Sequence, residues 1–227
     1  MNNVFFTIIS TGKYKHSRQK TLKQTWMSGS DLLLNKNYMF ASDIDDEDNV
    51  LLSGKTDHSS AEEKHLNSLT YLCKNHNQYE WYFFCDDDTF VNLKNLNYFL
   101  SDTNLLKEKN ISSFGKVLSF RTDPNNPCWS YMGKDFRYYS GGAGYCISRD
   151  LLFEVEKKAK LFDETTGYCD LSMGKLMKDC QLLDVGSFHS TNPWELKHNK
   201  ETIKKSITYH YMNPQMMKTC TTVCKDV

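Results

Sequence analysis

The most constraining stretch of the sequence is residues 79–88, Tyr-Glu-Trp-Tyr-Phe-Phe-Cys-Asp-Asp-Asp. Residues 79–85 are too apolar to leave either face in water, which predicts a strand buried on both sides. Such a strand needs helices against both faces of its sheet, and the flanking sequence supplies them. Residues 4–9 (Val-Phe-Phe-Thr-Ile-Ile) read as a second buried strand ending in the turn signal Ser10-Thr11-Gly12. A helix is expected over about 16–27, with Leu22, Thr25 and Trp26 on one side. Residues 37–42 read as a strand that closes in an acidic loop over 43–48. Ser59 or Ser60 is placed to cap a helix reaching about Asn75, with Glu62 and Glu63 favourable in its first turn.

Beyond the aspartates the reading continues with a helix at 93–100, a strand at 113–119, helices at 150–160 and 171–179, and a short strand at 182–185. The Pro- and Asn-rich stretch 121–135 reads as a loop near a substrate. Strands alternating with helices, without internal repeats, predict an α/β sandwich with a mainly parallel central sheet. At 227 residues the chain fits one domain. Its nucleotide-binding half is expected at about 1–92 and its acceptor and catalytic half at about 93–227. In such folds ligands gather at the carboxyl ends of strands, and the three aspartates fall at one of those ends.

Charge and composition exclude several classes. Lys plus Arg and Asp plus Glu both number 28, so no basic field exists to recruit nucleic acid. No apolar run is long enough to span a membrane, and residues 4–9 lack the basic leader and cleavage site of a signal peptide. The chain as written therefore carries no secretory address. That implies a cytoplasmic enzyme, of a virus or a microbe for example, or a Golgi-lumen catalytic domain if the sequence is a piece of a longer protein. The eight cysteines share no CxxC spacing, which argues against a zinc ribbon. Buried thiols and disulfides both remain open, with Cys220 and Cys224 spaced for a terminal staple.

Three clusters carry potential chemistry. Asp86, Asp87 and Asp88 repel one another unless a cation or hydrogen-bond donors offset them, and hard oxygen ligands suit Mg2+ or Mn2+. A haloacid-dehalogenase-type phosphatase also places an apolar strand before Asp-x-Asp, but needs Thr or Val where Phe90 stands. Ser140-Gly141-Gly142-Ala143-Gly144-Tyr145 lets backbone approach a ligand closely or simply makes a tight turn; it is neither a Rossmann nor a P-loop fingerprint. Asp170 opens an amphipathic helix, where it is either an N-cap or a general base. Phe188-His189 follows a short strand.

In this order the clusters resemble the Fringe-like and core-1-type β1,3-glycosyltransferases. The resemblance rests on Phe83-Phe84-Cys85-Asp86-Asp87-Asp88-Thr89-Phe90-Val91, on Tyr139-Ser140-Gly141-Gly142-Ala143-Gly144-Tyr145-Cys146, on Asp170-Leu171-Ser172-Met173-Gly174 and on Phe188-His189. Tyr209-His210-Tyr211 before Asn213-Pro214 is similar to the core-1-type tail. The resemblance implies a GT-A fold, a UDP-sugar donor, Mn2+ or Mg2+, a glycan or glycoprotein acceptor, and inversion at the anomeric carbon. It implies Asp88 and His189 as metal ligands, with Asp86 and Asp87 near the ribose and diphosphate. It further implies Asp170 as catalytic base, Thr11, Arg18 and Asp43 at the nucleotide, and Gly141, Gly142, Ala143 and Gly144 along the donor sugar. Galactose, N-acetylhexosamine and glucose all stay open as the transferred sugar, and Trp129, Tyr131 and Trp194 are candidate platforms for the acceptor. Cys169 and Leu171 depart from the family pattern around the base. A non-catalytic glycan- or client-binding relative is the main alternative.

Overall fold

The structure, a computed structural model, describes residues 3–56, 60–102, 106, 110–119, 136–161 and 166–225. The loop expected at 121–135, with Trp129 and Tyr131, lies outside the described residues, as do Cys128 and Ser59. The strands, in chain order, are β1 Val4–Ile9, β2 Tyr38–Ser42, β3 Asn49–Leu51, β4 Trp81–Asp86, β5 Phe90–Val91 and β6 Ser113–Gly115. They continue with β7 Val117–Ser119, β8 Arg137–Tyr139, β9 Tyr145–Ser148, β10 Leu183–Asp184, β11 Phe188–His189 and β12 Thr208–Tyr209.

The central sheet has seven strands in the order β10-β6-β9-β4-β1-β2-β3. The expected buried strands lie side by side in it, with Phe6 opposite Phe83 and Ile9 opposite Asp86. Side chains alternate across the sheet, so each strand feeds two cores. Phe6, Ile8, Phe83 and Cys85 face one core with Leu22, Trp26, Leu96, Met217 and Val223. Phe5, Tyr82 and Phe84 face the other, against Leu69 and Leu72 of the Ser60–Asn75 helix, Leu152 and Val155 of the Arg149–Ala159 helix, and Met173 of the Cys169–Leu176 helix. This is the α/β/α arrangement read from the apolar runs, and burying each large side chain contributes about 1.5–3 kcal/mol.

Two features position the site. The first is β9, which runs antiparallel to both neighbours, β4 and β6, whereas the other pairs in the sheet are parallel. Because Tyr145 at the start of β9 pairs with Phe84 near the end of β4, the glycine turn before β9 arrives at the aspartates after β4. The second is a small three-stranded sheet, β11-β12-β5. β5 follows the aspartates directly, and its Phe90 pairs antiparallel with Tyr209 of β12. His210, the next residue, is thereby delivered to the triplet.

Local geometry departs from expectation in two places, and a third question left open by the sequence is answered. The helix expected over 16–27 is a tight turn Gly12–Tyr14, a wide π-turn Lys15–Gln19 and a short α-helix Lys20–Gln24. The strand expected over 113–119 is two strands in different sheets, divided at Lys116. The seven described cysteines are free thiols, and Cys220 and Cys224 lie one turn apart on the Pro214–Lys225 helix without a staple. Among the described residues no helix is long and apolar enough to cross a membrane.

Candidate active site

The carboxyl end of β4 splits the triplet between two tasks. Asp87 turns inward and is only 3% exposed. One of its oxygens accepts from Ser10 Oγ at 2.7 Å and the other from the Arg18 guanidinium at 2.8 Å. Gln19 donates to Ser10 Oγ and pairs with Asn49, which fixes the turn from which Arg18 reaches out. Arg18 also lies 3.3 Å from Asp88 and covers the Tyr14 ring at 4.4 Å. Burial pushes the Asp87 carboxyl up to about 6, against the opposing pull of Arg18 and Ser10. Asp87 therefore anchors the arginine.

Asp86 and Asp88 line a cavity of about 630 Å³, and His210 joins them there. His210 Nε2 stands 3.1 Å from Asp88 and 3.5 Å from Asp86. The ligand-capable atoms of the three side chains all lie within 4.8 Å of one another. Burial disfavours charge on His210, but the two carboxylates overcome it and lift the imidazole to about 9. The carboxylates thus hold a proton where a cation fits. Two hard oxygens suit Mg2+ or Mn2+, and the imidazole tilts the set toward the transition metal. The donor chemistry and spacing fit the metal that the resemblance implies.

Asp170 lines the same cavity from the first turn of the Cys169–Leu176 helix. Its Oδ1 accepts from Gly141 N at 3.1 Å and from Cys169 Sγ at 3.3 Å. Burial first, and the Asp86 charge second, push its carboxyl up to about 6. A value there suits a general base working near neutral pH.

Of the other expected residues, Thr11, Arg18, Asp87 and Gly142 line the cavity directly. Asp43 does not. It stands behind the first turn, where Gly12 N donates to it at 2.9 Å and Lys64 Nζ lies 3.5 Å away. The glycine segment is shaped by its neighbours. A Cβ on Gly142 would fall 2.0 Å from the His210 ring, and one on Gly141 would fall 2.5 Å from Asp170 Oδ1. Gly144 takes φ +82° and packs on Phe83, while Ala143 is fully buried and its N–H donates to Ser140 Oγ.

His189 is the expectation that the geometry corrects. In the three-stranded sheet β12 lies between β11 and β5, so His189 sits one strand too far from the triplet. Its Nε2 pairs with Ser206 Oγ at 3.0 Å and its ring stacks on Tyr209 at 4.7 Å. The histidine at the carboxylates is His210. The signal was present as Tyr209-His210-Tyr211, but sequence order alone does not reveal which of two short strands is central. Sequence reasoning also passed over Lys64, a buried lysine that lines the cavity and donates to Ser10 O at 2.9 Å. It passed over Tyr138, Tyr168 and Tyr211 as well, which add aromatic lining. Trp194 is 47% exposed and is not among the residues lining the cavity.

A largely parallel sheet covered on both faces, with a carboxylate–histidine niche at the end of β4, defines a GT-A-type α/β domain. The fold is shared with a glycosyltransferase involved in glycosylating the major capsid of PBCV-1, at TM-score 0.52 and 16% identity, over 96% of this chain and 98% of that one. The chain belongs to the Fringe-like family, whose model matches residues 1–224. It is 25% identical to the β-1,3-N-acetylglucosaminyltransferase lunatic fringe of Xenopus laevis over 99% of its own length and 65% of that protein's. It is 31% identical to the glycoprotein-N-acetylgalactosamine 3-β-galactosyltransferase 1 of Xenopus laevis over 54% of its length and 30% of that protein's. The chain thus spans less than two thirds of either relative.

Proposed function

We propose that the protein is a metal-dependent, inverting glycosyltransferase that moves a hexose or N-acetylhexosamine from a UDP-sugar to a hydroxyl of a glycan or glycoprotein, forming a β1,3 linkage. The observation that carries this reading is the convergence of Asp86, Asp88, His210 and Asp170 on one cavity. Asp86, Asp88 and His210 would hold Mn2+ or Mg2+, which when bound supplies positive charge to the leaving diphosphate. Arg18, anchored on Asp87, presents a second positive charge at the same wall. Thr11 and Lys64 line the nucleotide side of the cavity, with Asp43 fixing the turn behind them. Gly142 leaves room for His210 and for the donor sugar beside it. Asp170 takes the proton from the acceptor hydroxyl as that oxygen attacks the anomeric carbon from the face opposite UDP. No covalent enzyme intermediate is required. Tyr168 and Tyr211, both exposed and both lining the cavity, offer apolar faces to an acceptor sugar.

The test is turnover of a panel of UDP-sugars with Mn2+, scored as UDP release and, with candidate acceptors, as product. Release from one donor, abolished by EDTA, by Asp88→Ala and by His210→Ala, is the expected result. Failure of every UDP-sugar to bind or turn over would sink the enzyme reading in favour of a glycan-binding module.

A further inference from the structure

Glu62 sits in the first turn of the Ser60–Asn75 helix, 5% exposed, yet its partners lie more than a hundred residues away. One of its oxygens accepts from Thr166 N at 2.9 Å and from the Ser172 hydroxyl, and the other accepts from Gly167 N at 2.8 Å. Thr166 Oγ1 in turn donates to Tyr168 O at 2.8 Å and accepts from Tyr168 N at 3.1 Å. Tyr168 O takes the first helical hydrogen bonds, from Leu171 N and Ser172 N. Glu62 therefore grips the chain on both sides of Asp170, at Thr166 and Gly167 before it and at Ser172 after it. A buried carboxylate is costly unless donors satisfy it, and here both oxygens are met by neutral donors.

We propose that Glu62 is a positioning residue that sets the reach of Asp170 into the cavity. The inference rests on the reading of Asp170 as base. The same helix contributes Ala61 and Lys64 to the cavity lining, so Glu62 ties the turn that carries the base to the helix that carries Lys64. Three donors converging on two oxygens also explain why a carboxylate is used. Glutamine has one acceptor oxygen, and its amide would confront Gly167 N–H donor to donor.

The experiment compares Glu62→Gln and Glu62→Ala with Asp170→Asn and with each double variant, in transfer assays, UDP calorimetry and site-resolved iodoacetamide labelling of Cys169. The expected result is a kcat reduced about 10–100-fold, with the donor KM and UDP affinity within about twofold of wild type. In the Asp170→Asn background the Glu62 substitutions should cost little more, because the two residues act as one unit. Cys169 should label faster in both Glu62 variants, while buried Cys85 and Cys146 stay protected. A retained kcat, losses that simply add to those of Asp170→Asn, or unchanged Cys169 labelling would each overturn the proposal. If Asp170→Asn itself has no effect on transfer, the base assignment fails instead, and the labelling alone decides whether Glu62 holds this turn. Glu62→Gln, which keeps shape and volume, covers the case in which Glu62→Ala does not fold.

Discussion

Replacing Gly142 by alanine should cripple metal binding without touching a ligand. The added Cβ falls 2.0 Å from His210 Cε1, 2.3 Å from Nε2 and 2.4 Å from Nδ1. Carbon atoms in contact sit at about 3.5–4.0 Å. The imidazole must therefore retreat by more than about 1 Å, or the glycine backbone must, and either movement breaks the 3.1 Å approach of Nε2 to Asp88. Disturbing a ligand's orientation typically costs 10–100-fold in metal affinity, about 1.4–2.8 kcal/mol. Overpacking adds about 1–3 kcal/mol of lost stability, which lowers Tm by several degrees in a chain of this size. The assay is calorimetric titration of Mn2+ into the UDP-saturated protein, with a thermal melt beside it. His189→Ala is the control, and its Mn2+ affinity should match wild type because that ring is held at Ser206 and Tyr209. Wild-type Mn2+ affinity in Gly142→Ala, or loss of affinity in His189→Ala, would refute the assignment of His210.

Four further outcomes follow from the same structure. Transfer should rise with pH through about 6 as Asp170 ionises, and Asp170→Asn should lose about 10²–10⁴-fold at neutral pH. Because burial raises the folded-state pKa of Asp170, its ionisation costs stability as pH climbs through about 6. Asp170→Asn should therefore melt higher than wild type at pH 8, by about 1–3 kcal/mol, and lose that advantage at pH 4. Dithiothreitol should leave Tm unchanged, since the described cysteines are free thiols; a drop would reveal a bridge. Phe83→Ala, at a fully buried ring in the first core, should cost about 3–5 kcal/mol in urea unfolding.

The central sheet was legible because residues 4–9 and 79–85 are unbroken apolar runs, whose burial on both faces admits few arrangements. The placing of Asp86, Asp88 and Asp170 on one cavity was legible because they stand at the boundaries of regular elements, the first two at the end of a strand and the third at the start of a helix. What escaped is built from pieces too short to carry a period. β5, β11 and β12 are two residues each, and no alternation can be counted over two positions. The strand order of that small sheet, which places His210 rather than His189 at the triplet, is a tertiary fact. Arg18 was expected on a regular helix. The hydrogen bonds of Ser10, Gln19 and Asn49 instead accompany a wider turn, which carries the guanidinium to Asp87. The reversed direction of β9 was equally hidden, because an isolated segment of four residues reads the same either way.

That reversed strand has a consequence for how the molecule comes into being. Residues 145–148 fill a gap between β4 and β6, strands that precede them in the chain, so the sheet becomes continuous only after the chain has turned back on itself. Such long-range pairings are slow to form. During synthesis the three aspartates emerge before the glycine turn, Asp170 and His210, which appear in that order behind them. A nascent chain accordingly carries the acidic corner built on one side only until the glycine turn, Asp170 and His210 have followed it. The described cavity wall is complete only once residues up to Tyr211 have been made.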